Sequence, residues 1–252
     1  MKQEELETSL SELKLYVFQK NYSELAKSCL ESDLGHVDYL SQLTALELED
    51  RYQKRIQRLL KKSKIPKKKD IQDFDVSRIP GLNQTLIKDF CRGKFIDRGE
   101  NLLIFGNPGT GKTHLAISLT REWCFAGRKA LFLTAAELIQ ELLKAKSSLR
   151  LTDCIQKYSK YEVLVIDDIS YVACERQEAD LLFHLLSNRY ETKSVVITSN
   201  LSFGEWGKIF KDEMTTTATI DRLVHHATLV KLDAESYRKA SAEKKLKEVK
   251  MG

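Results

Sequence analysis

An eight-residue stretch, residues 106–113, matches the pattern G-x-x-x-x-G-K-[ST] in full. It consists of Gly106, Asn107, Pro108, Gly109, Thr110, Gly111, Lys112 and Thr113. The glycines let successive backbone N–H groups curve around an anion, and the start of the following helix adds partial positive charge. In this pattern Lys112 reaches the terminal phosphates of a nucleotide and Thr113 is a ligand of Mg²⁺. With a strand expected before it and a helix after it, the stretch predicts a phosphate-binding loop.

Two adjacent carboxylates, Asp167 and Asp168, follow the apolar run 163–166. A buried strand ending here would place both at the carboxyl edge of a parallel sheet, where α/β proteins bind ligands. Asp167 is the candidate Mg²⁺ ligand, and Asp168 is the candidate group that orients or deprotonates an attacking water. An ordinary acidic strand end would look the same in isolation, so the upstream loop is what favours the catalytic interpretation.

Two further polar residues stand near predicted strands. Asn200 follows the run 195–199 and could contact a γ-phosphate or the lytic water, although an Asn here is also a common turn or N-cap residue. Arg222 precedes the last predicted strand. Its planar cation could enter a neighbouring subunit's site as a finger, or it could accompany Asp221 on a solvated helix. The sequence alone leaves both alternatives open.

Histidine and cysteine usage predicts neither a metal centre nor a disulfide framework. No third ligand is spaced to join His225 and His226, so we expect these two on a helix face. The cysteines are odd in number and contain no C-x-x-C pair, which favours a reducing cytoplasm; they are Cys29, Cys91, Cys124, Cys154 and Cys174. We find no apolar run long enough to span a membrane and no secretory signal at the start.

The positive charge is concentrated in one short segment. The 252 residues carry 41 Lys and Arg against 36 Asp and Glu, a net charge of +5. Residues 51–69 have a net charge of +10, residues 1–50 have −7, and residues 70–252 have +2. Within a predicted helix ending near residue 62, the basic side chains fall on one arc, opposite the apolar ones; they are Arg51, Lys54, Arg55, Arg58, Lys61 and Lys62.

This basic arc has two interpretations. It could contact the DNA backbone, where each phosphate contact adds salt-dependent affinity. It could equally be the solvated face of a packed helix, or a patch that binds the acidic residues 1–50. No aromatic residues interleave with the charges, so base stacking is not indicated. We take backbone-directed DNA contact as the working hypothesis.

The elements that must position these residues alternate between strand and helix after residue 80. Such alternation predicts an α/β fold, a parallel sheet flanked by helices. The expected strands are 101–105, 129–134, 163–167, 194–199 and 228–232, and the expected helices are 112–126, 135–146, 175–191 and 204–210. We predict three parts: an N-terminal helical domain over 1–65 with a break near 31–36, a linker over 66–80, and a nucleotide-binding domain over 81–252.

Taken together, these motifs resemble the AAA+ ATPases, and more narrowly the IstB-type helper ATPases of insertion-sequence transposition, relatives of the DnaC/DnaI helicase loaders. The resemblance covers nearly the whole chain. The segments that carry it are ELEDRYQKRIQRLLKKSKIP (47–66), FDVSRIPGLN (74–83), FIDRGENLLIFGNPGTGKTHLA (95–116), ITSNLSFGEWG (197–207), TIDRLVHHA (219–227) and ESYR (235–238).

The resemblance implies a cytoplasmic, Mg²⁺-dependent ATPase that assembles on duplex DNA with ATP, deforms it and stimulates a partner transposase. It implies that residues 106–113 with His114 bind nucleotide, that Asn200 is a sensor, that Arg222 acts in trans on an ATP site shared between subunits, and that Arg238 is a second sensor. The basic helix would help grip DNA or join protomers.

Three departures from the family's pattern stand out. Asp168 occupies a position where Glu is usual; since Asp is one methylene shorter, its carboxylate would sit about 1 Å or more from the ideal water position, and slow turnover is expected. Ser170 replaces a usual Gly. The stretch 214–219 replaces an Ala-rich one, which bears on the local helix length but not on Arg222.

Two other functions fit parts of the sequence. A replicative helicase loader would carry the same motifs, with a helicase ring and single-stranded DNA as partners. A small-molecule P-loop kinase would need neither an oligomer nor Arg222.

Overall fold

The computed structural model describes residues 3–66, 69–171, 175–209 and 213–237. The chain forms two compact units, Met1–Arg58 and Leu59–Gly252. The boundary falls inside one long helix rather than at residue 65.

The first unit is helical. It contains α1 (Gln3–Glu12), α2 (Tyr16–Glu31) and most of α3 (His36–Lys62). The break expected near residues 31–36 is confirmed, and a second one separates α1 from α2, where Lys14 has a φ of 58°. The unit's buried apolar side chains are few: Leu10, Cys29, Leu43 and Ile56.

The second unit is built on a five-stranded sheet, and each strand-to-strand pairing is parallel. The spatial order is β2-β3-β4-β1-β5. The strands are β1 (Asn101–Gly106), β2 (Ala130–Thr134), β3 (Val163–Asp167), β4 (Ser194–Ser199) and β5 (Ala227–Leu232). The predicted parallel sheet and its strands are therefore confirmed, with small shifts at the ends.

Helices cover both faces of this sheet. Alternate strand residues point to opposite sides, so apolar side chains lie on both faces and both must be buried. Leu164 and Ile166 belong to one apolar cluster, whereas Val163 and Val165 belong to the other. The helices are α4 (Gln84–Arg92), α5 (Lys94–Asp97), α6 (Lys112–Phe125), α7 (Ala135–Ser147), α8 (Leu151–Ser159), α9 (Arg176–Arg189) and α10 (Glu213–Val224). The sequence did not predict α4, α5 or α8, and a 3-10 helix at Phe203–Lys208 overlaps the segment expected as a helix over 204–210.

The segment expected as a linker contributes to the core of the second unit. Two 3-10 turns, Ile71–Asp73 and Val76–Arg78, fold it against the sheet. Phe74, Val76 and Ile79 are buried in the same apolar cluster as the start of α6. This segment packs into the core because its three apolar side chains are spaced along an otherwise polar stretch, so that the backbone can turn while the three side chains are buried.

No helix in the described part of the chain is long and apolar enough to cross a membrane.

Candidate functional site

The glycine-rich loop connects β1 to α6, which begins at Lys112. The loop passes so close to neighbouring chain segments that side chains would not fit at two of its positions. A Cβ at Gly106 would lie 2.5 Å from the carbonyl oxygen of Leu232, and one at Gly109, where φ is +87°, would collide with the Ser236 side chain. The loop is thus a backbone cradle, as an anion-binding turn requires.

Lys112 is buried, and its ammonium lies against the loop itself. Its Nζ donates hydrogen bonds to the carbonyl oxygens of Gly106, at 2.7 Å, and Asn107, at 3.0 Å. These are neutral acceptors, so a phosphate oxygen at the loop would offer the ammonium a stronger, charge-assisted bond. The contact of Lys112 with the terminal phosphates stays a prediction.

The structure brings Thr113 and Asp167 together, as the motif predicts. The Thr113 hydroxyl donates to Asp167 Oδ1 at 3.1 Å, and the Thr198 hydroxyl donates to the same oxygen at 2.6 Å. Burial raises the pKa of the Asp167 carboxyl, and nearby Asp168 adds to the rise. The two hydroxyls and the Lys112 charge act against it. A hydroxyl beside a buried carboxylate is an oxygen donor set that suits Mg²⁺, so these residues fit that ion.

Thr198 fixes both acidic residues and was missed by the sequence analysis. Its hydroxyl donates to Asp167 and accepts a bond of 2.8 Å from the backbone N–H of Asp168. Asp168 has a φ of 57° and lines the cavity described below. One threonine on β4 therefore sets the direction in which both carboxylates leave β3.

Asn200 lies beside the acidic pair, just beyond the end of β4. Its backbone N–H donates to the Ser170 hydroxyl at 2.8 Å, which gives the unusual Ser170 a positioning contact. The side-chain Oδ1 is buried and has no hydrogen-bond partner among the residues that the structure describes. A buried acceptor without a donor is costly, and it fits a role in which a water or another donor reaches it from the cavity.

Residues 108–113 of the loop, Asp168 and Asn200 line a cavity of about 510 Å³, a size typical of small-molecule sites. The loop, Asp168 and Asn200 form one part of the lining, and residues 73–79 and 234–237 form the rest. His114 also lines it; its Nε2 lies 3.2 Å from the carbonyl oxygen of Asp70, and its ring packs edge-on against Phe74.

The segment after β5 reaches the loop directly. The backbone N–H of Tyr237 donates to the carbonyl oxygen of Gly109 at 2.9 Å, and the Arg78 guanidinium lies over the Tyr237 ring at 4.9 Å from its centre. Both side chains line the cavity, and neither was singled out from the sequence. The only signal was their presence in the segments that carry the family resemblance. Arg238, predicted as a second sensor, lies outside the described residues.

Arg222 packs on its own chain, away from the cavity's lining. It lies on α10, donates to the hydroxyl of Ser187 on α9, and stacks at 4.6 Å over the Phe183 ring. The cavity's described lining does not include it. The helix α10 runs unbroken through the stretch 214–219, whose sequence departs from the family.

All six basic residues predicted to contact DNA are exposed on α3. Two of them pair with acidic residues one turn earlier: Arg51 with Glu47 at 2.6 Å and Lys54 with Asp50 at 2.8 Å. The Lys54–Asp50 pair is largely exposed and therefore weak, so Lys54 can exchange this acid for a phosphate, whereas the Glu47 side chain that pairs with Arg51 is buried.

The AAA+ P-loop fold class is defined by parallel strands in this order, helices on both faces, a phosphate-binding loop after β1 and acidic residues after β3. The structural comparisons agree. AMPPCP-bound DnaA from Aquifex aeolicus superposes with a TM-score of 0.57 over 73% of this chain and 56% of that one, at 19% identity. The structure of DnaI superposes with a TM-score of 0.52 over 65% of this chain and 90% of that one, also at 19% identity. Such identities establish the fold alone.

Sequence comparison establishes the family. The family model of the IstB-like ATP binding protein matches residues 8–245, and the chain belongs to this family. It is 37% identical to the insertion sequence IS21 putative ATP-binding protein of Pseudomonas aeruginosa over 93% of this chain and 88% of that protein. It is also 37% identical to the insertion sequence IS5376 putative ATP-binding protein of Geobacillus stearothermophilus, over 94% of each.

Proposed function

We propose that this protein is an ATP-dependent, DNA-binding helper ATPase that oligomerises on duplex DNA, remodels it and stimulates a partner transposase. The observation that carries the proposal is the convergence of the loop, Asp168 and Asn200 on one cavity, in a chain whose α3 exposes six basic residues. The relatives' names, which associate them with insertion sequences and ATP, support the same conclusion.

The nucleotide's phosphates would lie on the loop, where backbone N–H groups and Lys112 neutralise them. Thr113 and Asp167 would hold Mg²⁺, which supplies positive charge to the β- and γ-phosphate oxygens when bound. Phe74 and Tyr237 would face the base and ribose, because both are aromatic side chains of the cavity lining.

Hydrolysis would depend on the residues that hold the attacking water next to the γ-phosphate. Asp168 would orient and deprotonate the attacking water, and the free acceptor oxygen of Asn200 would hold that water in line. Because Asp is shorter than the usual Glu, we expect slow turnover that DNA stimulates. Slow turnover suits a switch whose ATP-bound state is the signal.

Sharing of the site between subunits rests on Arg222. Its contacts with Ser187 and Phe183 hold the guanidinium on the surface formed by α9 and α10. In an oligomer this surface would present the guanidinium to the next subunit's γ-phosphate, with Arg238 contributing as a second sensor.

DNA contact is assigned to α3. The exposed side chains lie in the part of the chain where the positive charge is concentrated. Long, flexible cations without interleaved aromatics suit the phosphate backbone, so a weak sequence preference is expected.

A binding assay tests the proposal. Fluorescence anisotropy with a labelled 30-base-pair duplex should show tighter binding with a non-hydrolysable ATP analogue than with no nucleotide. Co-purified transposase from the same insertion sequence should show higher activity when the protein and ATP are added. An equal affinity for the duplex with and without the nucleotide analogue would contradict the proposal.

A helicase loader of the DnaC/DnaI type is the alternative, favoured by the fold likeness to DnaI. The same assay separates the two. A loader should prefer single-stranded DNA and bind a helicase ring, whereas a transposition helper should prefer duplex DNA.

A further inference from the structure

Glu191 lies close to two consecutive histidines, His225 and His226, that are more than 30 residues away in the sequence, and all three side chains are of types that can bind a metal ion. Glu191 lies in the turn between α9 and β4, and His225 and His226 lie in the turn between α10 and β5. One ligand atom from each side chain can be chosen so that all lie within 4.8 Å of one another. The sequence offers no third ligand spaced to join the histidine pair, and it predicts that both histidines lie on a helix face. The fold supplies that ligand, and the histidines follow the end of α10 rather than lying on its face.

The backbone and a neighbouring hydroxyl hold the cluster in place. The carbonyl oxygen of His226 accepts a bond of 2.7 Å from the backbone N–H of Asn101, which ties the turn to the first residue of β1. The Tyr190 hydroxyl lies 2.9 Å from His225 Nδ1, and this contact orients that ring. Such contacts around a metal-ligating histidine fix the ring before the ion binds.

The spacing of the side chains is close to that of a metal site. The two imidazole rings have centroids 4.1 Å apart, and His226 Nε2 lies 3.6 Å from Glu191 Oε1. In a tetrahedral zinc site with bonds of about 2.0–2.1 Å, ligand atoms lie roughly 3.4 Å apart. Because all three side chains are exposed, small rotations are enough to close the remaining difference.

We propose that Glu191, His225 and His226 form a surface site for a zinc-type divalent transition-metal ion. Two imidazoles and one carboxylate are borderline ligands that suit Zn²⁺, whereas Mg²⁺ and Ca²⁺ prefer oxygen. Three protein ligands leave a fourth position to water or to a side chain of another molecule.

The ion would brace the part of the fold that carries Arg222. Glu191 follows α9 and the histidines follow α10, and Arg222 of α10 contacts Ser187 and Phe183 of α9. A metal bond across the ends of these two helices would hold them together beside that contact. The alternative is a simple ion pair between a protonated His226 and Glu191.

Calorimetry with the full-length protein tests the site. The protein is stripped of metal with a chelator, freed of nucleotide and titrated with Zn²⁺, and the unfolding temperature is recorded with and without the ion. We expect binding that the Glu191→Gln and His226→Ala variants weaken by at least about tenfold, since even outer partners of a metal site cost about 10–100-fold when lost. His36→Ala, which removes an exposed histidine from the first unit, should leave both measurements unchanged.

Equal Zn²⁺ affinity in wild type and Glu191→Gln, or no binding by wild type, would overturn the proposal and leave the ion pair. Glu191→Gln keeps the size of the side chain, and circular dichroism checks that it folds. Because the titration uses no ATP and no DNA, its outcome is separate from that of the proposed function.

Discussion

The salt dependence of DNA binding gives a quantitative test of the role of α3. Six exposed basic side chains set an upper limit of six phosphate contacts per protomer. Each neutralised phosphate contributes about −0.9 to the slope of log affinity against log salt, so the limit for this helix is a slope of about −5.4. Arg58 and Lys62 lie four residues apart and so share one face. Changing both to Ala should reduce the magnitude of the slope by about 1.8.

The assay is anisotropy of a labelled duplex at several salt concentrations, with the ATP analogue present throughout. Between 50 and 200 mM salt, a slope smaller by about 1.8 means that the variant loses about twelvefold less affinity than wild type. Its affinity at low salt should also be lower, and by a similar factor for every DNA sequence, because phosphates carry no sequence information.

A matched control separates this contact from a general effect of charge. Lys144→Ala with Lys146→Ala removes the same charge from exposed positions on α7. This control should keep nearly the wild-type slope. If the control and the α3 variant gave the same slope, or if the α3 variant kept the wild-type slope, the helix would face protein or solvent and the assignment would fail.

Three further predictions concern the nucleotide site. Asp167→Asn should raise the unfolding temperature of the nucleotide-free protein at pH 7, because burial raises the pKa of this carboxyl and its charge is unfavourable in the fold. The gain in unfolding temperature should shrink as the pH falls towards the ordinary pKa range of Asp. Mg²⁺-ATP should no longer stabilise the variant. A variant no more stable than wild type at pH 7 would contradict this. Arg222→Ala should lower ATP hydrolysis in the assembled state by about 10³-fold or more while ATP affinity stays nearly unchanged, and normal hydrolysis per subunit would remove it as a finger. Tyr237→Ala should weaken ATP binding about two- to fivefold, the size of an exposed cation–π contact with Arg78, whereas Tyr237→Phe should bind like wild type.

The sequence was sufficient for the parts of the fold and site that are encoded locally. The loop at 106–113 is one contiguous pattern, and its glycines specify a backbone shape directly. The apolar run before Asp167 specifies a buried strand, and parallel pairing then brings that strand's end to the same edge of the sheet as the loop. The strands were accordingly predicted nearly to the residue.

The parts that depend on tertiary contact were not visible in the sequence. Thr198 looks like any β-branched strand residue, and only the β3–β4 pairing places its hydroxyl between the Asp167 carboxylate and the backbone N–H of Asp168. Arg78 stands in a polar stretch that suggested a linker, and its partner Tyr237 is far away in sequence. Glu191 precedes β4 and the histidines precede β5, and they meet because β4 and β5 both pair with β1. In each case the sequence gives the residue type but not its neighbour.

We propose that ATP bound at the loop controls DNA binding, and the duplex affinity with and without nucleotide decides whether it does. The affinity of the full-length protein for a duplex is measured with and without the non-hydrolysable analogue, for wild type, Lys112→Ala and Lys88→Ala, which removes an exposed lysine on α4. We expect the analogue to tighten the binding of wild type and Lys88→Ala by about 5–150-fold, the usual range of coupling between sites, and to give no such gain for Lys112→Ala. Equal affinity with and without the analogue in wild type, or an undiminished gain in Lys112→Ala, would contradict it.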